Sequence, residues 1–149
     1  MLKDFLDLLR CLNEYKVKYL IIGGYAVSFY GEPRYTKDID IFVLASSTNS
    51  KNLLKSLREF GAPCDNIKSS DFERPGTLFV FGIPPGRVDI LNRVKGVVFE
   101  NIYKSRTKAK LSGVRINYIS LNDLIKTKKA AGRPQDLVDI QKLRQVLKN

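Results

Sequence analysis

Asp38 and Asp40 stand two residues apart in the stretch Arg34-Tyr-Thr-Lys-Asp-Ile-Asp-Ile-Phe42. Ile39, Ile41 and Val43 alternate with them at the period of a strand. Both carboxylates therefore share one face, about 6.5 Å apart along the backbone, while the isoleucines point into a core. Crowded carboxylates raise each other's pKa, and a bridging divalent cation removes that cost. A third acid, Asp89, sits between β-branched residues in Arg87-Val-Asp-Ile-Leu91. Aspartate is disfavoured inside strands, so three such residues ask for a reason. On neighbouring strands they form a cluster of hard oxygen ligands suited to Mg²⁺ or Mn²⁺. Asp-x-Asp alone would better suit a solvent-facing strand edge.

Gly23-Gly24 follows the apolar run Val17 to Ile22. Glycines at a strand-to-helix junction let backbone N–H groups and the positive end of a helix approach a phosphate closely, although glycine pairs also make ordinary turns. The chain has no histidine. That excludes Ser-His-Asp and Cys-His triads, imidazole zinc sites and histidine bases, so catalysis must use carboxylates, lysines, hydroxyls or metal ions. Cys11 and Cys64 form no paired motif and read as small buried hydrophobes.

The formal net charge is +11, and it is concentrated late in the chain. Residues 101 to 149 hold twelve basic and three acidic residues, whereas residues 1 to 50 hold six of each. The imbalance suggests a polyanionic partner such as a nucleotide or nucleic acid, or else a solubilising surface. Lys104, Arg106, Lys108 and Lys110 alternate like one face of a strand. They could track a phosphate backbone or shield an edge strand.

These residues need a scaffold, and the periodicity supplies one. Helices are predicted over 2–14, 25–30, 53–60, 99–104, 121–131 and 134–147, the last opened by a proline suited to a first turn. Strands are predicted over 17–22, 36–44, 77–81, 87–91, 108–111 and 114–119, with 77–81 and 87–91 forming a hairpin. The polar stretch 62–75 reads as a mobile loop with little regular structure. In the helix over 121–131, 100° per residue places Lys128 at the centre of the Leu121, Leu124, Ile125 stripe and Lys126 almost opposite. An inward lysine needs an anion, so Lys128 is the expected nucleotide contact of the tail, with Arg133 beside it; the alternative is a lysine snorkelling at a helix edge. On that reading Lys128→Met keeps its fold and loses nucleotide affinity. Asp136 and Asp139 read as acids favoured in a helix's first turn. Tyr25, Phe29, Tyr30 and Tyr35 could stack on a base or simply pack in the core.

A Gly-Gly turn, an Asp-x-Asp strand fourteen residues on and a later strand-borne Asp together resemble the DNA polymerase β-like nucleotidyltransferase superfamily, over roughly Val17 to Leu91. Arg34 and Thr36, in Arg-x-Thr-x-Asp-Ile-Asp, match a form frequent in small bacterial and archaeal members. The tail from Leu124 to Ile140 resembles abortive-infection toxin nucleotidyltransferases, which carry a functional lysine and a later aspartate there. Many members have Gly-Ser where this chain has Gly24, so backbone amides must replace a hydroxyl contact to the triphosphate.

The resemblance implies an α/β (α+β) nucleotidyltransferase fold: a short mixed twisted sheet, helices mainly on one face and a C-terminal helical pair. It implies a magnesium-dependent nucleotidyltransferase (EC 2.7.7 class) moving NMP from an NTP such as ATP to a hydroxyl, with release of pyrophosphate. Asp38, Asp40 and Asp89 would be catalytic and hold two Mg²⁺ or Mn²⁺ ions, Asp89 lying nearest the incoming hydroxyl. Gly23, Gly24, Arg34, Thr36, Lys128 and Arg133 would bind the nucleotide. RNA, with tRNA suited to the toxin-like tail, is an expected acceptor, as is a protein side chain or small molecule. The rivals are a non-catalytic nucleic-acid-binding protein and a toxin-antitoxin component bound to an antitoxin-like protein.

The 149 residues, 44% hydrophobic and 28% charged, suit one domain, with a catalytic core over about 1–119 and helices over about 120–149. No apolar run approaches the ~20 residues of a membrane-spanning helix, and the start does not resemble a signal peptide, so a cytoplasmic protein is expected.

Overall fold

A computed structural model describes residues 1–149. The chain runs α1 (Lys3–Glu14), β1 (Tyr19–Ile22), α2 (Gly23–Tyr30), β2 (Asp38–Val43), α3 (Ser47–Phe60), a 3-10 turn (Ser69–Glu73), β3 (Leu78–Phe81) and β4 (Arg87–Leu91). It continues with α4 (Phe99–Ile102), a second 3-10 turn (Tyr103–Ser105), β5 (Thr107–Leu111), β6 (Val114–Tyr118), α5 (Leu121–Ala131) and α6 (Pro134–Lys148). The six strands form one mixed sheet in the order β3-β4-β2-β1-β6-β5. The α/β class expected from the sequence is the one that forms.

Position in the sheet explains strand composition. All four residues of β1 are buried, because β1 lies between β2 and β6 with both faces covered, and such a strand reads as an unbroken apolar run. β2 alternates: Ile39 and Ile41 are fully buried while Asp38 and Asp40 are half-buried. α1 contributes Phe5, Leu8, Leu9 and Leu12 to the core and packs beside α3.

Three local expectations are corrected. α3 starts at Ser47, six residues before the predicted start at 53. Ser46 caps the helix by accepting from the Asn49 N–H, and the buried Asn49 side chain bonds both backbone groups of Lys18 and the carbonyl of Leu44. A polar residue at a helix start is here a strap between α3 and the sheet. The stretch 62–75 contains a 3-10 turn whose Phe72 is buried beneath Phe79, with ring centroids 6.0 Å apart. Finally, α2 begins at Gly23 itself rather than at Tyr25.

Candidate active site

Parallel pairing of β2 with β4 sets Asp40 directly opposite Asp89 and Asp38 opposite Arg87. Cross-strand neighbours lie about 5 Å apart, so the three aspartates share one face. Their nearest carboxylate oxygens all fall within 4.8 Å of one another. Burial, then the charges of Asp38 and Asp89, pushes the Asp40 carboxyl up to about 7. Asp38 is likewise raised, by burial and by Asp89. A half-buried, mutually repelling set of hard oxygen donors is chemically matched to a divalent cation. Asp38, Asp40 and Asp89 are the residues that would hold it.

Arg87 was not singled out by sequence, although it stands two residues before Asp89 and hence on the same strand face. Its Nε and Nη2 donate to the two Asp89 oxygens at 2.8 and 3.3 Å. This two-point bond fixes the carboxylate's rotation and offsets part of the triad's charge.

Gly23 has φ +67, and a Cβ there would collide with Asp40 Oδ2. The glycine thus brings the start of α2 against the carboxylates. Ile22, at the helix N-cap, supplies no capping side chain, which leaves the first-turn N–H groups free for a ligand. At Gly24 a Cβ would lie 2.5 Å from Thr36 Cγ2. The threonine methyl fills the space that a serine would need, which explains the departure from Gly-Ser. Gly24→Ser is expected to lower the melting temperature by several degrees, and Thr36→Ser in the same chain to restore most of it. No recovery in parallel melts would show that Thr36 is not the obstacle.

Gly23, Gly24, Thr36, Asp38 and Asp40 line one side of a cavity of about 560 Å³, closed by Arg34, Lys128 and Arg133. Lys128 does point inward and Lys126 outward, with side-chain exposures of 8% and 64%. The anion that an inward lysine needs comes from the chain itself. Lys128 Nζ lies 3.2 Å from Asp136 Oδ1 and 3.1 Å from Asp139 Oδ2. Both aspartates are fully buried, so they are more than first-turn acids. Arg133 Nε donates to Asp136 Oδ2 at 2.7 Å, and Arg34 Nη1 to Asp139 Oδ1 at 2.7 Å. Burial raises the Asp136 carboxyl, but hydrogen bonds from Arg133 and Lys128 outweigh it and bring it down to about 2. One buried cluster therefore ties α6 to α5 and to the loop before β2, and holds three cations at the cavity wall.

The aromatic residues divide between roles. Tyr25 packs edge-on against Phe5, and the Tyr30 hydroxyl donates to the Ile119 carbonyl. Phe29 stacks on Tyr118 at 4.0 Å, while Tyr35 is 74% exposed. A second cavity of about 620 Å³ lies beside these rings and shares Arg34, Tyr35 and Thr36 with the first.

A mixed sheet carrying a Gly-Gly turn against three strand-borne aspartates defines a nucleotidyltransferase-like domain, and solved structures share its fold. The lincosamide antibiotic adenylyltransferase LnuA, solved with lincomycin, matches with a TM-score of 0.59 at 18% identity over 98% of each chain. ANT(2")-Ia, solved with adenylyl-2"-tobramycin, matches with a TM-score of 0.60 at 14% identity over 96% of this chain and 87% of its own. An antigenic nucleotidyltransferase-like protein from Paracoccidioides brasiliensis gives 0.54 at 16% identity, over 97% and 76%. No curated protein sequence matches the chain. The chain belongs to the family described as nucleotidyl transferase of unknown function (DUF2204), whose model matches residues 1–149. No helix is long and apolar enough to cross a membrane.

Proposed function

We propose that this protein transfers a nucleoside monophosphate from an NTP to a hydroxyl acceptor. The acceptor oxygen bonds to the α-phosphorus, the bond between that phosphorus and the bridging oxygen breaks, and pyrophosphate leaves. The observation that carries this reading is the convergence of three carboxylates, within 4.8 Å, on a cavity walled by Gly23, Gly24 and Lys128.

Mg²⁺ or Mn²⁺ bound by Asp38, Asp40 and Asp89, as two ions in the sequence-based expectation, would supply Lewis-acid stabilisation of the phosphoryl oxygens. The chain's own groups do the rest. The Gly23 and Gly24 N–H groups, at the positive end of α2, face the phosphates. Arg34, Lys128 and Arg133 add positive charge where pyrophosphate charge builds. Thr36 shapes the cavity floor beside Gly24. Asp89, aligned by Arg87, accepts the proton of the attacking hydroxyl on a carboxylate oxygen. One neighbour of this fold is a lincosamide antibiotic adenylyltransferase and another was solved with adenylyl-2"-tobramycin, which makes ATP the first donor to try. Incubation with each α-labelled NTP, Mg²⁺ and cellular RNA, protein or metabolites should give labelled acceptor from one NTP, and none from the triple Asp→Asn variant. Equal labelling by wild type and variant would overturn the reading.

RNA as a bound polyanion has its own observation. Lys108 and Lys110 pair with Asn117 and Arg115 across β5 and β6. Strand alternation puts these cations on the sheet face that carries Asp40, three strand spacings to the side, about 14 Å across the sheet, and further along the strands. RNA affinity is expected to fall steeply with salt, and Lys108→Glu with Lys110→Glu to weaken it without changing NTP binding. A flat salt dependence between 50 and 200 mM would reject this surface.

A further inference from the structure

Beyond the carboxylate row, the same sheet face continues into apolar residues with a cavity at their end. The row holding Val80, Asp89 and Asp40 is followed, one side-chain step along the strands, by Leu78, Leu91 and Phe42. That step is about 6.6 Å. β3 turns Phe79 and Phe81 towards Phe72 and Phe60, and leaves Leu78 and Val80 on the opposite face, 58% and 38% exposed. Phe42 meets Phe99 of α4 edge-on, at 5.1 Å between ring centroids. Beside this contact opens a cavity of about 310 Å³ lined by Phe42, Pro75, Val94, Val97, Val98 and Phe99, with Arg93 and Glu100 as its charged groups. Val98 is 54% exposed. The triad's nucleotide side is built from glycine N–H groups and cations, whereas this side is built from valine, leucine and phenylalanine.

We propose that the 310 Å³ cavity and the Leu78–Leu91 strip leading to it are the acceptor seat, and that the acceptor is a small amphipathic molecule, one end apolar and the other bearing the reacting hydroxyl. This rests on the transfer reading above. The volume lies at the lower end of cavities that hold small ligands. An apolar group in the cavity places a hydroxyl one to two side-chain rows away, at Asp89, on the side of the triad away from Gly23 and Gly24. A sugar-phosphate chain gains nothing from such walls, because its charges would lose water without a partner. Arg93 and Glu100 give the cavity one charge of each sign, which suits a neutral or zwitterionic guest rather than a polycation or polyanion.

The experiment uses the full chain, the four α-labelled NTPs, Mg²⁺ and three fractions of a cell extract: total RNA, total protein and butanol-soluble metabolites. Label is expected in the butanol-soluble fraction. Leu78→Gln and Val98→Gln, both at exposed positions where the fold tolerates a polar side chain, should each raise the amount of that fraction needed for half-maximal labelling by about tenfold, within the range for losing apolar contact in a pocket. Calorimetric affinities for Mn²⁺ and for the NTP should stay within about twofold of wild type. Label only in RNA or protein, or variants labelling like wild type, would overturn the seat and leave the transfer reading standing. Label in no fraction, with Mn²⁺ and NTP still bound, would remove the transfer reading itself and the seat with it.

Discussion

Asp40→Asn is expected to cut nucleotidyl transfer by about 10³-fold or more and, without metal, to make the protein more stable at pH 8. The first effect follows from losing a central ligand, since metal stabilisation of a transferring phosphoryl group is worth several kcal/mol. The second follows from linkage. The Asp40 carboxyl sits at about 7 in the fold against an ordinary 3.8, so the folded state holds this proton more tightly than the unfolded chain does. From about pH 4 upward the unfolded state gains by ionising, and folding stability falls until the folded group also ionises near pH 7. One pKa unit corresponds to 1.36 kcal/mol, which makes about 2 to 4 kcal/mol a reasonable size for the loss after allowance for solvent. Asparagine carries no such proton and should flatten this part of the profile. Urea melts of both proteins in EDTA from pH 5 to 8 decide it. A wild-type profile no steeper than the variant's would mean that the site does not strain Asp40. Adding Mn²⁺ should restore wild-type stability at pH 8 and leave the variant little changed.

The second large effect concerns the buried cluster under α6. Asp136→Ala removes the carboxylate that accepts from both Lys128 and Arg133. It leaves a buried ammonium with Asp139 as its remaining counter-ion. Breaking one side of a buried ionic set typically costs about 3 to 5 kcal/mol, and that loss is expected here. Lys128→Met should cost less, about 1 to 3 kcal/mol, because Arg133 still bonds both Asp136 oxygens and Arg34 one oxygen of Asp139. Its NTP affinity should also fall, by about 1.5 to 3 kcal/mol, through loss of the ammonium's contact with the phosphates. The sequence alone would have Lys128→Met fold normally; the structure replaces that with measurable destabilisation. Lys126→Met, at an exposed pair with Asp123, should stay within about 0.5 kcal/mol. Parallel denaturant melts rank the three, and an Asp136→Ala protein as stable as Lys126→Met would show that the cluster carries no stability. The same cluster sets the acid limit of the fold. Asp136 is held at about 2, so its contribution is complete above pH 4 and is lost as pH falls towards 2, opposite in sign to that of Asp40.

By itself the sequence determined what periodicity and residue chemistry can determine. Period-2 alternation put Asp38 and Asp40 on one face of a strand, the angle per residue turned Lys128 inward, and a glycine pair after an apolar run marked a strand-to-helix junction. These are local facts, fixed within a few residues, and the structure keeps them. Which strands become neighbours is not local. Only the pairing of β4 beside β2 brings Asp89 opposite Asp40, with forty-eight residues of chain between the two. Gly24 looked like a missing serine until Thr36 was seen to fill its space. Ser47 to Asn49 fall outside the predicted helix because polar side chains carry no apolar spacing, and only the sheet edge at Lys18 and Leu44 reveals which backbone Asn49 bonds. Asp136 and Asp139 look like surface acids for the same reason. A carboxylate is buried when cations from distant elements meet it there, and Arg34 and Lys128 reach α6 only once the sheet and the C-terminal helices have packed.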